Sequence, residues 1–341
     1  MTERAINRRF LLRARPHGAF DPDALELVEE PVPTPGQGQA LVRILYLSLD
    51  PSNRVWMGEG ESYMPPVALG EVMRGVAIGE VVASNVSAYP VGALVLGLLG
   101  WQDYALIAPN DASAAMRLPK LPFVQTTSLL GALGITGLTA YFGVVDIAKP
   151  RRGETMVVTA AAGAVGSIAG QIARMRGARV VGVAGSHEKC RWLVQELGFA
   201  AAVCRRDPDW RAQLKAACPH GVDVSFENVG GEIMEAVFEL LNPHARVALC
   251  GLLSEYAQDG KAPGPRNFSN LLMRRVHVEG FNVLDARRRF VGATLRLALW
   301  LALGRIKDRH TLVKGLANAP AALKGLFEGD NIGKLIVQVA E

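Results

Sequence analysis

The run Met156-Val157-Val158-Thr159, followed by Ala160-Ala161-Ala162-Gly163-Ala164-Val165-Gly166-Ser167, constrains this chain more than any other segment. A short apolar run reads as a buried strand, the tiny residues as a tight turn, and the residues after them as the start of a helix. Such a strand, turn and helix present backbone N–H groups at a helix N-terminus, where a dinucleotide pyrophosphate is held. Ala161 stands where the dinucleotide fingerprint has its first glycine. Gly163 lets backbone approach the phosphates, and Gly166 lets the helix pack close to the strand. A lone G-x-x-G also marks ordinary strand-to-helix turns, so the surrounding pattern decides its meaning.

That pattern is repeated βαβ. From Gly153 onward short apolar runs at residues 155–159, 179–183, 201–203, 222–227, 246–249 and 276–281 alternate with helical stretches, notably 165–176, 188–197 and 231–240. Alternation of this kind specifies a parallel sheet. The first third reads differently: β-rich runs at 40–49, 76–82, 93–99 and 104–107 are separated by clusters such as Pro31-Val32-Pro33-Thr34-Pro35-Gly36, which suggests a small barrel. After Arg287 a long helical region is expected, then a last strand at 334–339 that has no partner in the parallel sheet and is free to rejoin the first domain. No repeat of solenoid length is present.

Cofactor choice is set at the end of the second strand of the βαβ unit, where an NAD site places a carboxylate on the ribose. This chain has Ala184-Gly185-Ser186 there, with Lys189, Arg205 and Arg206 following. No acid repels a 2′-phosphate and three cations stand ready to meet one, so NADPH is favoured.

Composition removes competitors. With 50% apolar and 20% charged residues in 341, the chain can bury large cores, and its length suggests two domains. The four cysteines (Cys190, Cys204, Cys218, Cys250) all lie in the second half without knuckle or redox-pair spacing. Disulfide scaffolding is therefore not expected, and a reduced, cytoplasmic setting is, since the basic N-terminus lacks the apolar core of a secretory signal. Residues 121–145 carry no charge, but Pro122, Gln125 and four glycines argue for a buried helix at a domain junction and against a membrane span. A net charge of +5 is too small and scattered to imply nucleic-acid recognition. Residues 1–186 contain no cysteine and one histidine, His17, so a catalytic zinc has no ligand set there and no metal is expected. No Tyr-x-x-x-Lys pair and no G-x-S-x-G elbow is found.

Several segments in register then resemble one family over essentially the whole chain: Asn7-Arg8-Arg9, Arg15-Pro16-His17-Gly18, Tyr46-Leu47-Ser48-Leu49-Asp50-Pro51, Gly137-Leu138-Thr139-Ala140-Tyr141, the alanine-rich loop above, Glu227-Asn228-Val229-Gly230-Gly231, Cys250-Gly251-Leu252-Leu253-Ser254-Glu255-Tyr256 and Gly329-Asp330-Asn331-Ile332-Gly333-Lys334. The chain resembles the zinc-independent medium-chain dehydrogenase/reductases, in the branch of leukotriene B4 dehydrogenase/prostaglandin reductase, plant alkenal reductases and bacterial NADPH-dependent curcumin reductase. The resemblance implies a GroES-like β-barrel domain at residues 1–131, with 311–341 returning to it, and a Rossmann domain with a doubly wound parallel sheet at 132–310. It implies NADPH in a cleft between them. Gly163, Ala164, Val165 and Gly166 would hold the pyrophosphate, and Ser186 and Lys189, with Arg205, the 2′-phosphate. Asn228, the Cys250–Gly251 backbone, the backbone from Phe281 through Val283, and Asn331 would surround the nicotinamide and its ribose.

The same resemblance implies reduction of the C=C bond of α,β-unsaturated ketones and aldehydes, by hydride transfer to the β-carbon. Negative charge then builds on the carbonyl oxygen, so a hydrogen-bond donor is needed there more than a metal. Tyr256 matches the family's site tyrosine, and a phenol of ordinary pKa, about 10, stays protonated at neutral pH. Tyr63 is the second candidate. Where many members read Asp-Pro-Tyr-Met-Arg this chain has Asp50-Pro51-Ser52-Asn53-Arg54, and the Asn that often follows the loop tyrosine is Ala257. A homodimer through the sheet edge at residues 276–281 is implied, with a small-molecule enone or enal as the partner in chemistry and no nucleic acid or membrane. Two other readings stay open: an NADPH:quinone oxidoreductase of the same superfamily, and a non-catalytic NADPH-binding module.

Overall fold

The computed structural model describes residues 6–60, 62–119, 124–256 and 263–340. They form two compact units, Met1–Leu130 with Thr311–Asn331 and Leu335–Glu341, and Gly131–His310 with Ile332–Lys334.

The first unit is antiparallel β structure. β1 (Ile6–Leu12) and β2 (Leu25–Pro31) pair in a two-stranded sheet that the sequence patterning did not mark. β3 (Ala40–Ser48), helix α1 (Ser52–Met57), β4 (Ala77–Ser84), β5 (Leu94–Gly97), β6 (Tyr104–Ile107) and β7 (Met116–Arg117) follow. β3 is the organising strand: it pairs with β4 along most of its length and with β6 at residues 40–43. A central strand is covered on both faces, which is why ALVRILYLS is apolar almost throughout instead of alternating. Leu12, Ile44, Leu47, Met57, Met73 and Trp101 are fully buried around it, each such side chain contributing about 1.5–3 kcal/mol relative to exposure.

The second unit is α/β. It runs α2 (Ile135–Phe142), β8 (Thr155–Val158), α3 (Ala164–Met175), β9 (Arg179–Ala184), α4 (His187–Gln195), β10 (Ala201–Cys204), α5 (Trp210–Ala217), β11 (Val222–Glu227), α6 (Gly231–Leu240), β12 (Leu241–Leu249), α7 (Ser269–Met273), β13 (His277–Gly280) and α8 (Phe290–Ala302). The strands are all parallel, in the order β10-β9-β8-β11-β12-β13. This is the 3-2-1-4-5-6 order of a dinucleotide-binding sheet. Helices on both faces explain why β8 is buried at all four positions. Val157, Val181, Leu214, Val222, Val237 and Val247 belong to its core.

The chain then returns through β14 (His310–Lys314), α9 (Ala319–Glu328) and β15 (Lys334–Gln338). β15 lies antiparallel to β3 at Tyr46–Ser48, and the first unit's sheet reads β14-β15-β3-β4-β5-β7 with β6 also on β3.

Three sequence expectations need correction. Residues 121–145 are not one helix: a 3-10 turn at Thr126–Leu129 precedes α2, and a π-helical turn, Gly143–Ala148, follows it. The Thr136 hydroxyl donates to the Gly131 carbonyl at 2.9 Å, and a Cβ on Gly137 would stand 1.8 Å from the Ala132 carbonyl, so the glycines close a tight turn where helix was expected. Leu121 and Pro122 lie outside the described residues, as does Ala257. The fifth parallel strand begins at Leu241 and not at Arg246; its first half, holding Pro243 and His244 at φ 63°, goes with a register shift opposite Val222 and Val224. The region after Arg287 is not continuously helical, because β14 separates α8 from α9. Among the described residues no helix is long and apolar enough to cross a membrane.

Candidate functional site

In a doubly wound sheet the ligand crevice opens where the strand order reverses, at the carboxyl ends of the strands. Here that point lies between β8 and β11. A polar knot ties the two strand ends together. The Thr159 hydroxyl donates to Glu227 Oε1 at 2.9 Å and accepts from the Asn228 N–H at 2.8 Å, while Asn228 Nδ2 donates to the Thr159 carbonyl at 2.7 Å. Glu227 Oε1 also accepts from the N–H groups of Val229 and Gly230, at 2.8 and 2.9 Å, and so shapes the turn into α6. Its other oxygen is buried without a partner among the described residues. Burial pushes the Glu227 carboxyl pKa up, against the opposing pull of these donors. Thr159 and Glu227 both lie in motif segments of the sequence, but neither had a site role there; the available signal was an acid closing a strand just ahead of Gly230-Gly231.

The phosphate loop runs from Thr159 to α3. The sharp turn is made by Ala160, at φ 46°, one residue before the position assigned to the first fingerprint glycine. Ala161 is instead still tied to the sheet, its N–H donating to the Val183 carbonyl at 3.0 Å. Holding an alanine in the left-handed region costs about 1–2 kcal/mol. Gly163 caps α3 in extended conformation, and Ala164, Val165 and Gly166 are its first turn, whose N–H groups have no intrahelical acceptor. A Cβ at Gly166 would stand 2.6 Å from the Ala160 carbonyl oxygen; at Gly163 the one close atom would be that same oxygen, at 3.1 Å. Gly166 is thus needed for packing, while Gly163 keeps space above the loop. Gly333 of the returning segment donates its N–H to the Ala162 carbonyl at 2.8 Å and bridges Gly163.

At the ends of β9 and β10 the structure gathers Gly185, Ser186 and Arg205. The Ser186 hydroxyl caps α4 by accepting from the Lys189 N–H at 3.3 Å. Arg205 is exposed, its N–H on the Ala184 carbonyl at 2.8 Å and its Nε 3.9 Å from where a Gly185 Cβ would be. Lys189 is buried at 8% exposure.

The loop after β12 folds back on this knot. The N–H groups of Cys250 and Gly251 both donate to the Glu227 carbonyl, at 2.9 and 3.2 Å, and the Ser254 hydroxyl donates to the Val229 carbonyl at 2.7 Å. Burial, then the neighbouring Glu227, push the Cys250 thiol up to about 12, so it is a neutral packing group. Tyr256 ends the loop with its hydroxyl 3.3 Å from where a Gly251 Cβ would stand, and the Asn228 carbonyl 3.6 Å from the same point. Tyr256, Gly251 and Asn228 therefore meet at one place. The Phe281 ring turns into the core, edge-on to Phe226 at 6.3 Å, leaving its backbone for any ligand; Val283 opens a 3-10 turn. Tyr63 and Asn331 belong to the first unit. Asn331 is buried, and the exposed Tyr63 ring carries a hydroxyl that hydrogen-bonds Ser52 beside Asp50. Burial of that hydroxyl raises its pKa, and Asp50 adds to the rise.

Residues 8–115 match the family model described as the N-terminal domain of oxidoreductase, and residues 164–299 the model described as zinc-binding dehydrogenase. The NADPH-dependent curcumin reductase of Escherichia coli is 42% identical over 339 residues, 98% of this chain and 97% of that one. The chain belongs to the medium-chain dehydrogenase/reductase family. The NADP-dependent 2-alkenal reductase of Nicotiana tabacum, from the same branch of medium-chain reductases, is 36% identical over 89% of this chain and 88% of its own. The crystal structure of CurA from Vibrio vulnificus in complex with NADPH superposes with a TM-score of 0.91 at 42% identity, covering 98% of this medium-chain reductase and 99% of that chain.

Proposed function

We propose that this chain is an NADPH-dependent oxidoreductase that saturates the C=C bond of α,β-unsaturated ketones and aldehydes. The observation that carries the reading is the meeting of the Tyr256 hydroxyl with Gly251 and Asn228 at the switch point of the sheet, in a chain so similar to curcumin and 2-alkenal reductases. The residues fit the cofactor: Gly163 leaves open space over the loop, the first N–H groups of α3 face no intrahelical acceptor, and the end of β9 carries Gly185 and Ser186, with Arg205 close by, where an NAD site has its carboxylate. NADPH, when bound, would supply the hydride that goes to the β-carbon, and a proton from solvent would complete the saturation at the α-carbon.

The chain does the rest. Gly163, Ala164, Val165 and Gly166 hold the pyrophosphate on their backbone. Ser186 and Arg205 receive the 2′-phosphate, with Lys189 behind them in α4. Asn228, fixed by Thr159, and the Cys250, Gly251, Phe281 and Val283 backbones line the nicotinamide side; Asn331, in the first unit, is the further residue the family resemblance assigns to the cofactor. Tyr256 donates a hydrogen bond to the substrate carbonyl oxygen as it becomes an enolate, which is where charge develops; Tyr63, held by Ser52, lies in the first unit as the second tyrosine for substrate. Ser52, where many relatives carry tyrosine, is thereby a partner of Tyr63. The reaction uses no catalytic zinc, since residues 1–186 offer no cysteine and only His17.

The protein pairs as a homodimer through the free edge of β13, where Phe268, Leu272, Met273 and Val278 are exposed. It works in the cytoplasm, consistent with four free thiols. Incubation of the purified protein with NADPH and a panel of enones tests the reading: NADPH oxidation with saturated ketones as products is expected. Saturated alcohols as sole products, or turnover of quinones alone, would overturn it, and NADPH binding with no turnover at all would leave a binding module.

A further inference from the structure

Three donor side chains outside this machinery converge where β9 and β10 end. His187 is the first residue of α4, Cys204 the last of β10, and Asp207 sits in the turn that follows. One ligand atom from each lies within 4.8 Å of the other two. His187 Nε2 and Asp207 Oδ1 are 3.1 Å apart, while Asp207 Oδ2 accepts from Gln213 Nε2 at 3.2 Å. Gln213 thus orients the carboxylate and leaves Oδ1 toward the histidine, as outer partners of metal ligands do. The turn itself is closed by the Asp207 N–H on the Cys204 carbonyl at 3.1 Å. Exposure grades from solvent inward: the His187 side chain is 68% exposed, that of Asp207 20%, and Cys204 4%.

We propose that His187, Cys204 and Asp207 form a binding site for a thiophilic divalent cation such as zinc. Imidazole, thiolate and carboxylate are zinc's own ligand types, and a tetrahedral ion about 2.0–2.3 Å from each donor sets the donors roughly 3.3–3.8 Å apart. With a single sulfur among the donors, the widest pair found here needs to close by little more than about 1 Å, and the 3.1 Å His187–Asp207 pair to open slightly. The graded exposure supplies an entry path, and the fourth position is open to water. On binding, the Cys204 thiol releases its proton to solvent, the His187–Asp207 contact is exchanged for bonds to the metal, and no electron moves. Thiolate and carboxylate together cancel the ion's charge, so the metal-filled site is neutral beside the exposed arginines at 205 and 206, one unit more positive than the metal-free site. The site does not rest on the nicotinamide reading, and it is tested without NADPH.

Reduced, metal-free protein is titrated with Zn2+ by calorimetry and with Co2+ by absorption. One ion per chain with a dissociation constant of about 10 μM or tighter is expected, and the cobalt form shows a thiolate-to-metal charge-transfer band. The exposed His187→Ala variant, which leaves the fold intact, binds Zn2+ at least tenfold more weakly, and Cys204→Ser removes the band. The absence of saturable binding up to about 100 μM, or a His187→Ala affinity within about twofold of the parent, overturns the site and leaves an ordinary surface His–Asp pair.

Discussion

The two glycines of the phosphate loop are expected to fail in different ways when replaced by alanine. At Gly166 the new Cβ would lie 2.6 Å from the Ala160 carbonyl oxygen and 3.0 Å from the Ala161 Cα, both backbone atoms of a loop anchored to β9. Neither atom is the end of a flexible side chain, so α3 must move off the sheet. Overpacking of this kind costs about 1–3 kcal/mol, and the backbone contacts place Gly166→Ala in the upper part, about 2–3 kcal/mol. For a domain of this size each kcal/mol shifts Tm by about 2–4 °C, so Tm is expected to fall by roughly 4–12 °C. At Gly163 the backbone is extended and one oxygen at 3.1 Å is the only close atom. Gly163→Ala is expected to melt within about 1 °C of the parent, yet to bind NADPH roughly tenfold more weakly, about 1.4 kcal/mol, because its methyl occupies the phosphate approach. Thermal melts with and without NADPH, together with fluorescence titration, separate the two effects. A Gly166→Ala variant that melts like the parent would refute the close-packing argument; undiminished NADPH affinity in Gly163→Ala would refute the phosphate role.

Four further outcomes are expected. Tyr256→Phe lowers enone turnover roughly a hundredfold, as loss of one oxyanion donor does, and leaves NADPH affinity intact; unchanged turnover by stopped-flow removes the donor role. Arg205→Ala weakens NADPH about fivefold, roughly 1 kcal/mol for an exposed cation, without touching NADH; equal losses count against the 2′-phosphate contact. For Glu227 the folded pKa lies above the unfolded one, so its stabilising contribution is complete below the ordinary carboxylate pKa of about 4.3 and is lost as pH rises through the folded value. Glu227→Gln does not titrate, so its Tm relative to the parent improves with rising pH; parallel Tm curves refute the raised pKa. Leu272→Glu, at a residue 79% exposed beside β13, yields a monomer by light scattering if that edge pairs, and an unchanged mass refutes the dimer.

Much of the architecture was readable in the chain itself. Periodicity is local, so Val222–Glu227 and Gly231–Leu240 were bounded correctly by their residues alone. The parallel sheet followed from alternation of such elements, and the family from motifs in register over the whole length. The reading failed where a distant group overrode local preference. Gly137, in the first turn of α2, packs against the Ala132 carbonyl of the tight turn before it, and Pro243 and His244 are carried in a strand by their neighbours. The β1–β2 pair was missed because register between strands, and not the composition of either, defines it.

Sequence by itself determined the residue types available for chemistry: a loop of tiny residues before a helix, cations without an acid after the second strand, and a tyrosine in the loop after the fifth strand of the parallel sheet. Those are properties of side-chain size and charge, which need no partner to be recognised. Only the tertiary structure decided that Ala160 and not Ala161 makes the turn, that Thr159 and Glu227 lock Asn228 across the switch point, and that Tyr256 comes back over Gly251. Hydrogen bonds between strands far apart in the chain, 68 residues in the case of Thr159 and Glu227, depend on which strands become neighbours, and that is settled by packing the whole sheet.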